Sequence, residues 1–549
     1  MLAELCSTQK LILRKYQSMS AATNIPPQEI ATLAPILVAD GAEFRSRMSS
    51  ISRQSFVYFA GTIFTAAAGY FFKIYLARTL GAEALGLYAL GMTIIGFIGL
   101  FNSLGLPVTA ARFVAAYCAK GDYSQLSSFL RGSLGLLTVV NVLLATVVLL
   151  AGPWLAVHFY HAPKLNPYLW AFAAIMLLGV LNFFLGQVMA GYRDVARRTL
   201  ITHFIGTPAN MVIAAVLISL GFSLTGYMAA QVASALLVLW LLGASVWKMS
   251  PVEARSAQSG LHIRREVVAF STVAYGIAGL QFVLAQTDKI VLGYYLDARR
   301  VGIYAVAMAL VGFVPIALDS VNQIFSPIIS ELHAADNHAV LQQLYSTLTK
   351  WVMILTIPLA ITMIIFAHGL MSIFGSGFQS GTAVVMIGAV GQVFNCGVGS
   401  VGFLLLMSGN QAELMKIEAA NAVLMVGLNI LLVPRFGIAG AAIATTITTI
   451  ATNIWALASV RRLLKVFPYN AGYFKLAVPS VCATAGTLML ARLLGGNYAQ
   501  WKIAGTGLVC AYGAFMGTFC LLGLDQDDRE LAKFAWAGLG RSFRRAVFT

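Results

Sequence analysis

The sequence predicts an all-α integral membrane protein of about fourteen transmembrane helices, arranged as two parallel six-helix repeats followed by two C-terminal helices. Three observations carry that expectation. Hydrophobic residues make up 59% of the chain and charged ones only 10%, where a soluble domain carries about 25% charged residues. Stretches such as Leu134 to Leu150, Ala171 to Phe184 and Met353 to Ala367 run nearly without charge, and a bilayer core needs roughly 20 such residues per crossing. Finally, the chain matches itself at an offset of 216 residues.

The first fifty-two residues differ in kind. Lys10, Arg14, Lys15, Arg45 and Arg47 are scattered among polar residues and a Pro26-Pro27 pair. Their one apolar stretch, Leu33 to Ala39, is interrupted by Pro35 and lacks a cleavage site, so residues 1–52 read as a cytosolic tail rather than a signal peptide. Apolar windows then place an N-terminal bundle over residues 53–247, with spans near Phe56–Ala77, Gly86–Pro107, Ser127–Ala151, Tyr168–Ala190, Thr202–Leu220 and Leu224–Trp247. After a basic linker at 248–266, a second bundle over 267–461 holds spans near Val267–Leu296, Val301–Phe325, Trp351–Met371, Thr382–Met407, Leu414–Val433 and Ile438–Val460. Helices thirteen and fourteen, near Tyr473–Arg492 and Trp501–Leu524, occupy 473–524. The closing segment 525–549 runs from acidic Asp527, Asp528 and Glu530 through Leu531, Phe534, Trp536 and Phe543 to Arg544 and Arg545, which suits a cytosolic interfacial helix.

The formal charge of +16 would suggest nucleic acid in a soluble protein. Here it sorts by topology. One set of loops holds Arg112, Lys120, Arg131, Arg193, Arg197, Arg198, Lys248, Arg255, Arg264, Arg265, Arg461, Arg462 and Lys465. The opposite set holds Arg78, Lys164, Arg299, Arg300, Arg435, Arg492 and Lys502. The Lys/Arg excess puts the first set, and both termini, in the cytosol.

The self-match aligns Lys73-Ile74-x-Leu76 with Lys289-Ile290-x-Leu292, Gly86-x-Tyr88-Ala89 with Gly302-x-Tyr304-Ala305, and Gly96-Phe97 with Gly312-Phe313. Six spans per repeat is an even number, so both halves enter the membrane in one direction and enclose a central cavity that rocking can open alternately. The string Leu76-Ala77-Arg78-Thr79-Leu80-Gly81-Ala82-Glu83-x-x-Gly86-x-Tyr88-Ala89 resembles the signature of polysaccharide flippases. So do Leu104-Gly105-Leu106-Pro107 with Arg112-Phe113-Val114-Ala115, and Asp288-Lys289-Ile290-Val291-Leu292-Gly293. These flippases belong to the multidrug, oligosaccharidyl-lipid and polysaccharide exporter superfamily, and the likeness covers about residues 50 to 465. The resemblance implies translocation of a polyprenyl-(pyro)phosphate-linked oligosaccharide across the cytoplasmic membrane. Its surroundings would be membrane lipids and glycan assembly enzymes, with no nucleic acid and no cofactor.

Lys73 and Lys289 occupy the same repeat position, about 6 to 10 Å inside the outer ends of their spans at 1.5 Å per residue. An intramembrane charge costs on the order of 2.5 to 3.5 kcal/mol, so it faces a partner or a wet cavity. Snorkelling to the outer interface is one reading; binding an anionic headgroup as two compact point charges is the other. The seventh span carries a polar stripe of Gln281, Gln286 and Asp288. Asp288 either neutralises a buried cation or takes a coupling ion. In the eighth span Asp319, Asn322 and Gln323 stand at helical spacing, the amides as headgroup ligands or as glue between helices. Asp319 invites the same choice as Asp288. Arg112 and Arg78 are further substrate-binding candidates.

A membrane-embedded polymerase or ligase needs a positioned acid or base, and the outer loops offer only Glu83, Asp297 and the histidines His158 and His161. The run Gly397-x-Gly399-x-x-Gly402 copies a dinucleotide fingerprint, yet it lies inside a span with no strand before it. The six cysteines are far apart and show no metal or redox spacing. A cation-coupled drug or metabolite exporter of the same superfamily remains the alternative, though organic cations call for a carboxylate-rich cavity.

Overall fold

The computed structural model describes residues 27–256, 282–494 and 500–523. The first half of the expected seventh span with Gln281, the far part of the linker and the segment Asp525 to Thr549 lie outside the described residues. Every described element is helical. Ten helices are long and apolar enough to cross a bilayer, or up to eleven if the bent pair Ala298–Val311 and Ile316–Gln323 makes one span. Two of the ten, Ala60–Ile98 and Gln411–Leu464, are each interrupted by a non-helical glycine, Gly81 and Gly437. Each therefore covers two of the expected spans, and the described part of the seventh, residues 282–295, is helical as well. The outward-facing side chains confirm the solvent: Leu150 and Leu521 are 77% and 88% exposed, which lipid tails accommodate and water would not.

The differences from expectation have local causes. The described helix already runs at Pro27, inside the segment expected as a tail. The ninth span runs His338–Ile365 rather than from Trp351, since a helix capped by the Asn337 side chain on the Val340 N–H continues past the membrane edge. The tenth span is not continuous: Thr382–Val398 stops, Gly399 turns with φ 75°, and Val401–Met407 resumes. The fifth span, Val195–Ser219, contains a π-helical stretch at Leu200–Gly206.

Spans two and eight are broken at corresponding places. The second ends its first part at Ile98 and resumes at Leu106 after a turn through Asn102–Gly105. The eighth breaks between Val311 and Ile316 with a bend of 54°. Asn141 of the third span, fully buried, donates to the Asn102 carbonyl at 2.8 Å, satisfying a backbone acceptor that the break frees.

The packing is uneven along the bundle axis. At the end that carries the tight turns of Gly81 and Asp297, one continuous core joins residues of both halves, among them Leu90 and Phe172 with Leu292, Tyr304 and Phe374. Toward the opposite, basic end the core divides. Val114, Phe129 and Phe184 pack within the N-terminal half, while Phe325, Tyr345 and Leu404 pack within the C-terminal half.

Candidate functional site

Lys73 is half-buried on the first span, and it lies close enough to Lys289 for the two ammonium charges to repel. The two repeat-related lysines thus stand within electrostatic range of one another, one on each half. Lys289 Nζ donates to Gln286 Oε1 at 3.1 Å and to the Ala285 carbonyl at 3.4 Å, which orients it from its own helix.

The carboxylate of Asp288 takes its hydrogen bonds from groups other than the adjacent lysine side chain. Among the described residues no ion pair joins its carboxylate to the Lys289 ammonium. Instead Oδ2 accepts from the Tyr304 hydroxyl at 2.8 Å, and Oδ1 accepts from the Lys289 backbone N–H at 2.7 Å. Consecutive residues on a helix point about 100° apart, so adjacent side chains do not face one another. Asp288 looks into the protein, at 7% exposure; the Lys289 ammonium lies back along its own helix on Gln286 and Ala285.

The remaining candidates scatter. Arg78 is exposed and donates through Nε to the Ile373 carbonyl at 2.7 Å, tying the first turn to the loop between spans nine and ten. Arg112 is exposed on the far segment of the second span, 5.8 Å from the Phe113 ring centre. Asp319 and Gln323 are exposed on the far segment of the eighth, and Asn322 between them is buried with Oδ1 making no hydrogen bond among the described residues. The structure therefore joins Lys289 to Gln286, leaves Lys73 within electrostatic range of Lys289, turns Asp288 to Tyr304, and leaves Arg78 and Arg112 apart from them.

Three features escaped the sequence reading. Tyr304 was legible as the repeat mate of Tyr88, but a matched tyrosine carries no signal of what it will touch. Lys350 fell just outside the expected ninth span, yet it is buried in the helix His338–Ile365, 5.9 Å from the ring of Phe519 in helix fourteen. The paired breaks were masked by apolar residues, although Gly105-Leu106-Pro107 and Gly312 to Pro315 supply the helix-breaking signal. Gly/Pro-interrupted spans in corresponding positions of two halves point to a binding site between them.

In the N-terminal half the place of Asp288 is taken by Phe72. Around it Gln231 Nε2 donates to the hydroxyls of Tyr227 at 2.8 Å and Tyr88 at 3.3 Å, and the Tyr88 and Tyr227 rings lie 5.2 Å apart.

Two broken, pseudo-equivalent spans and a core shared at one end define a two-bundle helical membrane protein, and solved structures share the fold. The chain superposes on the lipid II flippase MurJ, inward closed conformation, with a TM-score of 0.67 at 13% identity, covering 84% of this chain and 98% of that one. It also superposes on the inward-facing conformation of a multidrug resistance MATE family transporter of the MOP superfamily, with a TM-score of 0.59 at 16% identity over 72% and 94% of the two chains. A family model described as polysaccharide biosynthesis protein matches residues 51–333, more than half of the chain, and the protein belongs to that family. Among its relatives, the probable low-salt glycan biosynthesis flippase Agl15 of Haloferax volcanii is 22% identical over 405 residues, 72% of this chain and 81% of the relative. The probable flippase AglR of the same organism is 23% identical over 500 residues, 88% and 98% of the two.

Proposed function

We propose that this protein is a flippase that carries a polyprenyl-(pyro)phosphate-linked oligosaccharide, or a like cell-envelope precursor, across the cytoplasmic membrane by alternating access. The observation that carries the reading is that the repeat-related Lys73 and Lys289, each partly buried on its half, lie within electrostatic range of one another. Two cations held near one another in a membrane repel, and an anionic headgroup between them removes the repulsion and gains two charge-assisted contacts. A pyrophosphate fits that arrangement; an organic cation does not. The glycan part of the reading is supported by a relative named a probable low-salt glycan biosynthesis flippase and a second named a probable flippase.

In this reading the turn end faces outside and the basic end faces the cytosol, with both termini cytosolic. Impermeant thiol labelling of single cysteines tests the map: Arg197→Cys reacts from the cytosolic side and Gln379→Cys from the outside. The reverse pattern inverts the topology.

The function itself is tested in proteoliposomes with two substrates, a fluorescent polyprenyl-pyrophosphate oligosaccharide and a cationic dye. The first is translocated and the second is not. Movement of the dye alone would assign the protein to the drug-exporter branch.

A further inference from the structure

Gly86 opens the second span and Gly302 the eighth, at the same position of the repeat. A Cβ placed on Gly86 would fall on the Ala298 carbonyl oxygen and lie 3.0 Å from the Gly302 nitrogen. A Cβ placed on Gly302 would fall on the Ala82 carbonyl oxygen and lie 2.7 Å from the Gly86 nitrogen. Each glycine therefore abuts the backbone of the other's helix start, and the contact is reciprocal, as a two-fold relation between the halves requires. Backbone atoms cannot rotate away as a flexible side chain can, so even one methyl group would hold the helices apart.

This crossing caps a series of contacts between the halves. Below it Gly293 of the seventh span packs on Leu90 and Tyr160, and the Phe159 and Tyr294 rings lie 5.0 Å apart. Tyr70 meets Phe313 edge-on at 4.8 Å and Phe374 at 6.0 Å, and Phe97 meets Phe282 at 6.5 Å. Phe97 and Phe313 stand eleven residues beyond their glycines, roughly 17 Å at 1.5 Å per residue. The seal thus extends from the turn end to about mid-membrane, where spans two and eight break and the cores of the two halves separate.

We propose that Gly86 and Gly302 are the positioning residues of the outer gate: the halves close at the turn end only because neither residue carries a Cβ, and this reciprocal contact parts when the cavity opens outward. The proposal rests on the alternating-access reading above. It makes the gate symmetric and all-or-none, since one substitution on either side spoils the shared contact. The broken far segments of both spans would then move at the basic end while the crossing holds.

The test uses the full-length chain freed of its native cysteines. Thr93→Cys reports on the seal, because Thr93 is fully buried beneath it and hydrogen-bonded to the Tyr160 hydroxyl at 2.7 Å. With Gly86 and Gly302 intact, an impermeant thiol reagent added from the turn end labels it slowly. Gly86→Ala and Gly302→Ala each raise the labelling rate roughly tenfold, which corresponds to a shift of about 1.4 kcal/mol in the closed-to-open balance. Gly69→Ala, where an added Cβ meets nothing within 4 Å, leaves the rate unchanged. Independently, a short bifunctional thiol reagent bridging Phe159→Cys and Tyr294→Cys, with both glycines intact, stops transport, and cleaving the bridge restores it. Protected Thr93→Cys in both glycine variants, or full transport by the bridged protein, would overturn the gate. Labelling needs no substrate, so a protein that moves no lipid-linked glycan but responds to Gly86→Ala would retain the gate and lose the flippase reading.

Discussion

The two halves share a backbone plan but differ in what they bury at one equivalent pair of positions. In the C-terminal half the pair is Asp288 and Tyr304, a carboxylate held by a tyrosine hydroxyl at 2.8 Å. In the N-terminal half it is Phe72 and Tyr88, with the Tyr88 hydroxyl served by Gln231. The lysine that follows in sequence, Lys73 or Lys289, is kept in both. The comparison teaches that the duplicated scaffold retains the lysine and frees what faces inward. A neutral aromatic cluster cannot change charge and a buried carboxylate can, so at this pair of positions the titratable group lies in the C-terminal half.

The largest expected effect tests what the halves share. Lys73→Ala combined with Lys289→Ala abolishes translocation of the lipid-linked oligosaccharide while leaving expression and thermal unfolding close to wild type. Lysines that merely snorkel would leave transport intact. Lys→Arg at both positions recovers part of the rate, because charge is kept while the compact ammonium becomes a planar fork.

A smaller effect tests the asymmetry. A doubly charged anion moving outward gains roughly 2.3 kcal/mol per charge from an inside-negative potential of 100 mV, so translocation rises with potential. Asp288→Asn slows it without removing that dependence, while the aromatic half has no equivalent position to lose. A response to an imposed proton or sodium gradient at zero potential, abolished in Asp288→Asn, would make the carboxylate a coupling group instead.

The smallest effect is on stability. Tyr304→Phe removes a donor from a buried carboxylate and lowers unfolding stability by about 1.5 to 3 kcal/mol, the range for hydrogen bonds to charged groups. Tyr88→Phe removes a neutral bond and costs about 0.5 to 1.5 kcal/mol. Unfolding in detergent compares the two, and equal losses would erase the distinction between the halves.

The sequence by itself determined the solvent, the crossings and the duplication. Apolar runs near twenty residues long have few alternatives in water, and a repeated string such as Lys73-Ile74-x-Leu76 against Lys289-Ile290-x-Leu292 is visible without coordinates. It also marked the lysines, since a charge inside an apolar run stands out. Only the tertiary structure decided which of the marked residues meet. Asp288 and Lys289 are neighbours in the chain, yet helical rotation sends one to Tyr304 and the other to Gln286. Gly86 and Gly302 read as ordinary family glycines until the second and eighth spans are seen to cross there, because a glycine's role lies in what approaches it. Lys350 was lost to a helix that runs past the membrane edge, a length set by its cap at Asn337 and by packing rather than by hydropathy. Periodicity and charge are local properties of a chain; contact between two halves more than two hundred residues apart is not, and the gate and the headgroup site both depend on it.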